Sequence, residues 1–152
     1  MSVRLEPKNP LTTADSLITI EGVPGYFSTF SGVQISFSRP QYSDGLSAVK
    51  RSAASGTKEV SDVTVSRAFD PESADDVALL AWVREYEGGE AFNLTVRPVK
   101  RTAGIEFRGN RAWYLSGCRI KTWSTFENID TGSGEGVVMV SLTFTVEDAV
   151  FS

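Results

Sequence analysis

Covalent chemistry has few residues to draw on in this sequence. There is no histidine among the 152 residues, so neither a Ser-His-Asp nor a Cys-His arrangement can form. The single cysteine, Cys118, lies in a strand-like stretch with no activating base beside it and reads as a packed thiol. One cysteine excludes an internal disulfide, and a zinc site would have to come from carboxylates and that one thiol, so no metal or other cofactor is expected. Paired carboxylates can do acid–base work, but Asp75 and Asp76 are neighbours in the first turn of a helix and point in different directions, which suits dipole stabilisation instead. Gly132, Gly134 and Gly136 imitate a phosphate-cradling loop. Such loops leave a strand and open a helix, whereas this one enters a strand, so a hairpin turn explains it. Trp82, Trp113 and Trp123 could stack on bases or sugars, yet scattered tryptophans in a β domain more often anchor a core or an interface. The expectation is a protein without a catalytic site, a hydrolase being the last reading these residues support.

The elements that would position these residues are one helix and a set of strands. DPESADDVALLAWVREYE, residues 70–87, predicts a helix over about 71–86, with Asp70 as N-cap, Pro71 at the first helical position and Glu72, Asp75 and Asp76 at the positive end. Leu79, Trp82, Val83 and Tyr86 recur at helical spacing, widened by Val77, Leu80 and Ala81, and Gly88-Gly89 ends the run. Period-two alternation predicts strands at 17–21, around Val33, Ile35 and Phe37, at 59–67 with Val63 and Val65 inward, at 92–97, and at 138–147 with Val138, Val140, Leu142, Phe144 and Val146 inward. Pro98 confines its strand to an edge or a bulge near its end, and residues 105–108 suggest a small hairpin. Residues 112–126 read as one long strand or two pieces broken at Gly117, with Leu115, Cys118, Ile120 and Trp123 as apolar candidates. The fold class is α+β, mainly β: an antiparallel β-barrel or sandwich flanked by a single α-helix, in one domain spanning 1–152. Residues 1–11 read as an extended arm, and 39–58, rich in serine and glycine, as a long protruding loop of the kind that is usually functional or disordered.

Charge narrows the function further. Fifteen basic and nineteen acidic residues give −4, against the basic footprint of a dedicated nucleic-acid binder. Residues 70–90 carry seven acids against Arg84, whereas 97–111 carry five bases against Glu106. These stretches are either ordinary solvated surface or complementary docking faces for other subunits. The longest aliphatic run, 137–140, is far short of a membrane span, and the N-terminus lacks a signal-peptide core, so a soluble chain made in the cytoplasm is expected, with no membrane insertion. Asn93-Leu94-Thr95 matches the glycosylation acceptor pattern by chance on that reading. The outward strand positions are short polars, namely Gln34, Ser36, Ser38, Thr64, Ser66, Ser141, Thr143 and Thr145, a smooth surface that suits the lining of a conduit.

The order of parts, GVQISFSRPQYSDG before the long loop, EVSDVTVSRAF leading into a helix with ALLAW, then FNLTVRP, GCRIKTWSTFENID and a closing VVMVSLTFTVEDAVF, resembles the tail tube proteins of contractile-tailed bacteriophages. That family is related in fold to the haemolysin-coregulated protein tubes of type VI secretion. The resemblance spans residues 17–151 and rests on the ordered combination. It implies a small β-barrel flanked by one helix, six copies joined into a ring, and rings stacked into a hollow tube that conducts DNA without binding it specifically. The implied partners are further copies of the chain, a tail sheath protein, and baseplate and tail-terminator proteins, and the implied location is the virion tail, assembled in the host cytoplasm. A type VI or extracellular contractile injection tube with protein cargo is the close variant, and a carbohydrate- or receptor-binding β-sandwich the alternative from another class. On the tube reading, Arg39, Tyr42, Asp44, Lys50, Arg51 and Lys58 contact the next ring, Glu72, Asp75, Asp76 and Glu85 face the sheath, and Thr64, Ser66, Ser141, Thr143 and Thr145 face the lumen.

Overall fold

Alternating apolar and polar residues set most of the strands, which in chain order are β1 (Ser16–Ile20), β2 (Thr29–Phe30), β3 (Ile35–Ser38), β4 (Gln41–Tyr42), β5 (Arg51–Ser52), β6 (Thr57–Val60), β7 (Val63–Ala68), β8 (Phe92–Arg101), β9 (Ile105–Phe107), β10 (Trp113–Thr125), β11 (Met139–Thr145) and β12 (Asp148–Phe151). Among the described residues one helix, α1 (Ala74–Tyr86), falls between β7 and β8. The computed structural model describes residues 9–43, 45, 49–101 and 104–152. Asp44 and residues 1–8 of the expected arm lie outside them. No helix among the described residues is long and apolar enough to cross a membrane.

Strand β10 organises the sheet. Its first half pairs β8 along one edge, with Leu115 opposite Leu94, and β12 along the other, with Ser116 opposite Asp148. Its second half pairs β11, with Arg119 opposite Thr145, so β11 and β12 follow one edge of β10 in continuous register. The two pieces considered at Gly117 are thus one bent strand: Gly117 takes φ +63, and a Cβ there would run into the side chain of Glu147. Beyond β8 lies β1, and beyond β11 lie β7 and then β2. A single bridge between Ile18 and Phe27 draws the two ends of this order together, giving a curled antiparallel half-barrel.

The inward positions close one core: Ile18 and Ile20, Val63 and Val65, Leu94, Leu115 and Cys118, and Val140, Leu142 and Phe144, all buried. The helix contributes Leu79, Trp82 and Val83. Trp82 stacks on Tyr86 at 4.5 Å and meets Phe92 edge-on at 4.9 Å, and Phe92 meets Phe144 at 5.3 Å, so a row of rings links the helix to the middle of the sheet.

Five local expectations need correction. The helix starts at Ala74, three residues late, because Asp70 is spent on a turn: its Oδ1 accepts the Glu72 N–H at 3.0 Å and its carbonyl accepts the Ser73 N–H at 3.1 Å. Ser73 becomes the N-cap residue, without a side-chain cap bond. Residues 59–67 split between β6 and β7, which belong to different sheets. Phe37 is exposed, since β3 pairs only with β6 and no layer covers it. Pro98 lies inside β8 opposite Ser16, at the point where β9 replaces β10 as neighbour and no ladder bond is forfeited to β10. Trp123 shares the face of its partner Leu142 but remains partly exposed near the end of the strand.

Since Leu142 and Phe144 have no exposed surface, truncating either to alanine is expected to cost about 2–5 kcal/mol in urea unfolding, whereas Thr143→Ala, on the opposite face of the same strand, is expected to cost under about 1 kcal/mol.

Candidate functional site

Burial blocks chemistry at the one thiol. The Cys118 thiol is fully enclosed, donates weakly to the Leu115 carbonyl at 3.6 Å, and is pushed up to about 12, chiefly by desolvation, so it stays protonated at neutral pH. The three tryptophans do not form a platform: Trp82 is in the core, Trp113 packs against Phe151 at 5.6 Å, and Trp123 donates its indole N–H to Glu87 at 3.1 Å. Asp130 folds the glycine-rich stretch into a turn by accepting the Gly132 N–H at 3.0 Å.

What the sheet does present is a face of hydroxyls. A bulge at Lys121 shifts β10 by one residue against β11, and it places Thr122 opposite Thr143 and Ser124 opposite Ser141. Strand β7 continues both lines, with Thr64 opposite Thr143 and Ser66 opposite Ser141, and β2 adds Thr29 opposite Ser66. One row therefore runs Ser124, Ser141, Ser66, Thr29, and a second runs Thr122, Thr143, Thr64. The hydroxyls of Thr64 and Thr143 lie 3.0 Å apart, those of Thr29 and Ser66 are also bonded, and Ser31 accepts the Thr64 N–H at 3.0 Å. Neither row contains a charged side chain. Thr145 sits beyond them, bonded to the Arg119 carbonyl at 3.4 Å, and Arg119 itself is paired with Glu147 at 3.0 Å. Sequence alternation located Thr64, Ser66, Ser141, Thr143 and Thr145 on one face. It missed Thr29, in a two-residue strand, and Thr122 and Ser124, whose phase only the bulge fixes.

The described residues within 39–58 form the outer part of a long hairpin, in which β4 pairs β5 beyond the β3–β6 ladder. Two of its expected contact residues are used inside the subunit. Arg39 donates to the Ala54 carbonyl across the hairpin and lies 4.9 Å over the Phe37 ring. Lys58 pairs with Asp148 of β12 at 2.8 Å, tying the stem to the sheet. The bond from Lys58 holds the Asp148 carboxyl below its ordinary value, so the tie is complete above the ordinary carboxylate range and is lost as pH falls through the lowered value. Tyr42, Lys50 and Arg51 are exposed, and Asp44 is outside the described residues.

The acids of the helix divide as well. Glu72, Asp75 and Glu85 are exposed, but Asp76 is buried and does not face outward. Its Oδ1 lies 2.9 Å from Nε of Arg67, also buried, and its Oδ2 accepts the Asp70 N–H at 2.7 Å. Arg67 further donates to the Pro24 carbonyl at 2.8 Å and the Asp75 carbonyl at 3.0 Å, and its guanidinium lies over the Phe27 ring at 5.1 Å. Asp76 is turned inward because Arg67 continues the inward phase of Val63 and Val65 and needs an anion there. The same alternation was the one signal in the sequence that could have found this pair.

Neither a protein-family model nor a curated protein sequence matches the chain. Solved structures do. A chain in the tube-terminating cap of the anti-feeding prophage aligns over 99% of this chain and 95% of its own, with a TM-score of 0.74 at 17% identity. A chain in the sheath/tube terminator of the PVC extracellular contractile injection system aligns over 95% and 98%, with a TM-score of 0.72 at 16% identity. The SPP1 tail tube aligns over 94% and 79%, with a TM-score of 0.62 at 13% identity. The fold is therefore the one that the sequence resemblance implied, that of contractile-tail tube proteins and their relatives.

Removing one partner of a buried ion pair strands the other charge. Asp76→Ala is accordingly expected to cost about 3–5 kcal/mol in chemical denaturation, whereas Asp75→Ala, which leaves its carbonyl bond to Arg67 in place, is expected to stay within about 0.5 kcal/mol of the parent.

Proposed function

We propose that this chain is a structural, non-catalytic subunit of the tube of a contractile tail or injection system, in which six copies form a ring and rings stack around a lumen lined by the hydroxyl face. The observation that carries the proposal is the pair of uncharged rows across β10, β11, β7 and β2. Short hydroxyls, two pairs of them bonded to each other, offer a moving polymer neither a long side chain to catch on nor a fixed charge to bind. In a phage tail the cargo would be DNA, and in an injection system a protein. The arrangement of layers supports the same orientation: α1 packs on the core side of the sheet, opposite the hydroxyls, so a lumen-facing hydroxyl face puts the helix on the outer wall. Glu72, Asp75 and Glu85 would there meet a surrounding sheath, and the hairpin with Tyr42, Lys50 and Arg51 would reach the next ring. Baseplate and terminator proteins would cap the two ends. The scattered tryptophans leave a carbohydrate-binding module without its stacking platform.

Purified protein viewed by negative-stain electron microscopy is expected to show rings or tubes with a central hole, and particles that remain monomeric at every concentration tried would overturn the proposal. Because Cys118 is buried, Ser141→Cys introduces a single accessible thiol. A heavy-atom cluster attached to it is expected to add density to the inner wall in reconstructions of the assembly, and density on the outer wall would reverse the assignment of faces.

A further inference from the structure

The long hairpin leaves the body of the subunit at one residue pair. Ile35 and Val60 stand opposite each other at the base of the β3–β6 ladder, Val60 buried and Ile35 packed against the core. Alternation carries the same face outward through Phe37 and Lys58, also opposite each other, but there the apolar packing stops. Phe37 is half exposed with the Arg39 guanidinium over its ring, and Ser36, Ser38, Thr57 and Glu59 are exposed as well. Among the described residues β3 and β6 pair only with each other, and so do β4 and β5, so no strand ladder joins the hairpin to the main sheet. Ion pairs do. Above the Ile35–Val60 pair, Lys58 reaches Asp148 of β12 at 2.8 Å, and below it Asp62 accepts from Lys121 of β10 at 2.7 Å. Lys121 is the residue that the β10 bulge leaves without a partner on β11. Glu147, beside Asp148 in sequence, is committed to Arg119 at 3.0 Å.

Val60 therefore has one ion pair on either side of it along the chain, each running to a different strand of the main sheet. We infer that the two pairs act as a salt-sensitive latch on the hairpin: Lys121 fixes its foot at Asp62, Lys58 fixes its direction, and opening the Lys58–Asp148 pair lets the outer strands swing about Val60 while the body stays folded. The upper pair is the one that gives. Val60 and Val63 are buried on either side of Asp62 and hold the foot by packing, whereas none of the described residues from Ser36 to Glu59 is buried. Lys58 and Asp148 are themselves about half exposed, so water and salt compete for both charges. The use of the latch in stacking rests on the tube reading, in which the hairpin reaches the next ring: closed, it presents the hairpin in one direction, and open, rings form but stack poorly.

A distance within one subunit tests it. Gln41→Cys on the hairpin and Glu85→Cys on α1 change exposed residues, and nitroxide labels on them report the direction of the hairpin by electron resonance, Cys118 being buried and left unlabelled. Labelled protein is diluted into an excess of unlabelled protein so that distances within a subunit are read. At low salt the labelled parent is expected to give one narrow distance distribution. Lys58→Met, or Asp148→Asn, which keeps an acceptor for the Ala149 N–H, is expected to broaden it roughly twofold, as is high salt on the parent, whereas Lys58→Arg is expected to leave it narrow. Circular dichroism checks that each variant is folded. If both neutral variants give the parent's distribution, or if Lys58→Arg broadens it as Lys58→Met does, the latch is wrong whatever the protein assembles into. Negative-stain images of the neutral variants are expected to show rings and short stacks where the parent gives long tubes, and long tubes from them would overturn the role in stacking. If the parent forms neither rings nor tubes, the tube reading falls, and the distances still decide the latch.

Discussion

The buried ion pair between Arg67 and Asp76 is the constraint on which the placement of the helix depends. Burying two charges costs several kcal/mol, which their attraction offsets only when the remaining donors and acceptors are also used. Most are used here: the terminal Arg67 nitrogens donate to the Pro24 and Asp75 carbonyls, Nε lies 2.9 Å from one Asp76 oxygen, and the other Asp76 oxygen holds the Asp70 N–H. Three parts of the chain are thereby fixed to one guanidinium, namely strand β7, the turn before Phe27, and the entry to α1. A helix with only apolar contacts could slide or rotate on the sheet, whereas a buried charge tolerates one register. The helix itself begins at Ser73 without a side-chain cap bond.

The second dependence is the sharing of β10. A flat antiparallel sheet of these strands would leave two long open edges. The left-handed Gly117 and the bulge at Lys121 instead bend β10, so that its first half serves β8 and β12 and its second half serves β11, and the ends of the order approach each other at Ile18 and Phe27. The core sits inside this curl under α1. The opposite side is left to residues that need only be short and polar, which is how one strand can contribute Leu142 and Phe144 to the interior and Ser141 and Thr143 to the hydroxyl rows.

On the proposed reading, function comes from the surfaces. Two hydroxyl pairs on the face, Thr64–Thr143 and Thr29–Ser66, bond to each other, Arg39 closes the hairpin on itself, and Lys58 ties its stem to β12. Division of labour of this kind suits a subunit whose chemistry is association.

Period-two alternation alone determined which side chains of β7 and β11 are interior and which form the hydroxyl face, because one-residue slips would expose the whole apolar set. Helical spacing likewise determined that Leu79, Trp82 and Val83 pack inward, and the absence of histidine removed the common catalytic arrangements. Local signals failed where a long-range partner decides the outcome. Asp70 has the composition of an N-cap and Asp76 that of a solvated dipole acid, yet both are committed to a network centred on Arg67, which lies on β7 and meets them only because β7 folds against α1. The phase of Thr122 and Ser124 depends on a bulge, the exposure of Phe37 on the lack of a covering layer, and the capture of Lys58 on a carboxylate ninety residues away. Alternation is a property of one strand and survives in the sequence, whereas pairing, bulges and ion pairs are properties of two segments, and only the tertiary structure brings those together.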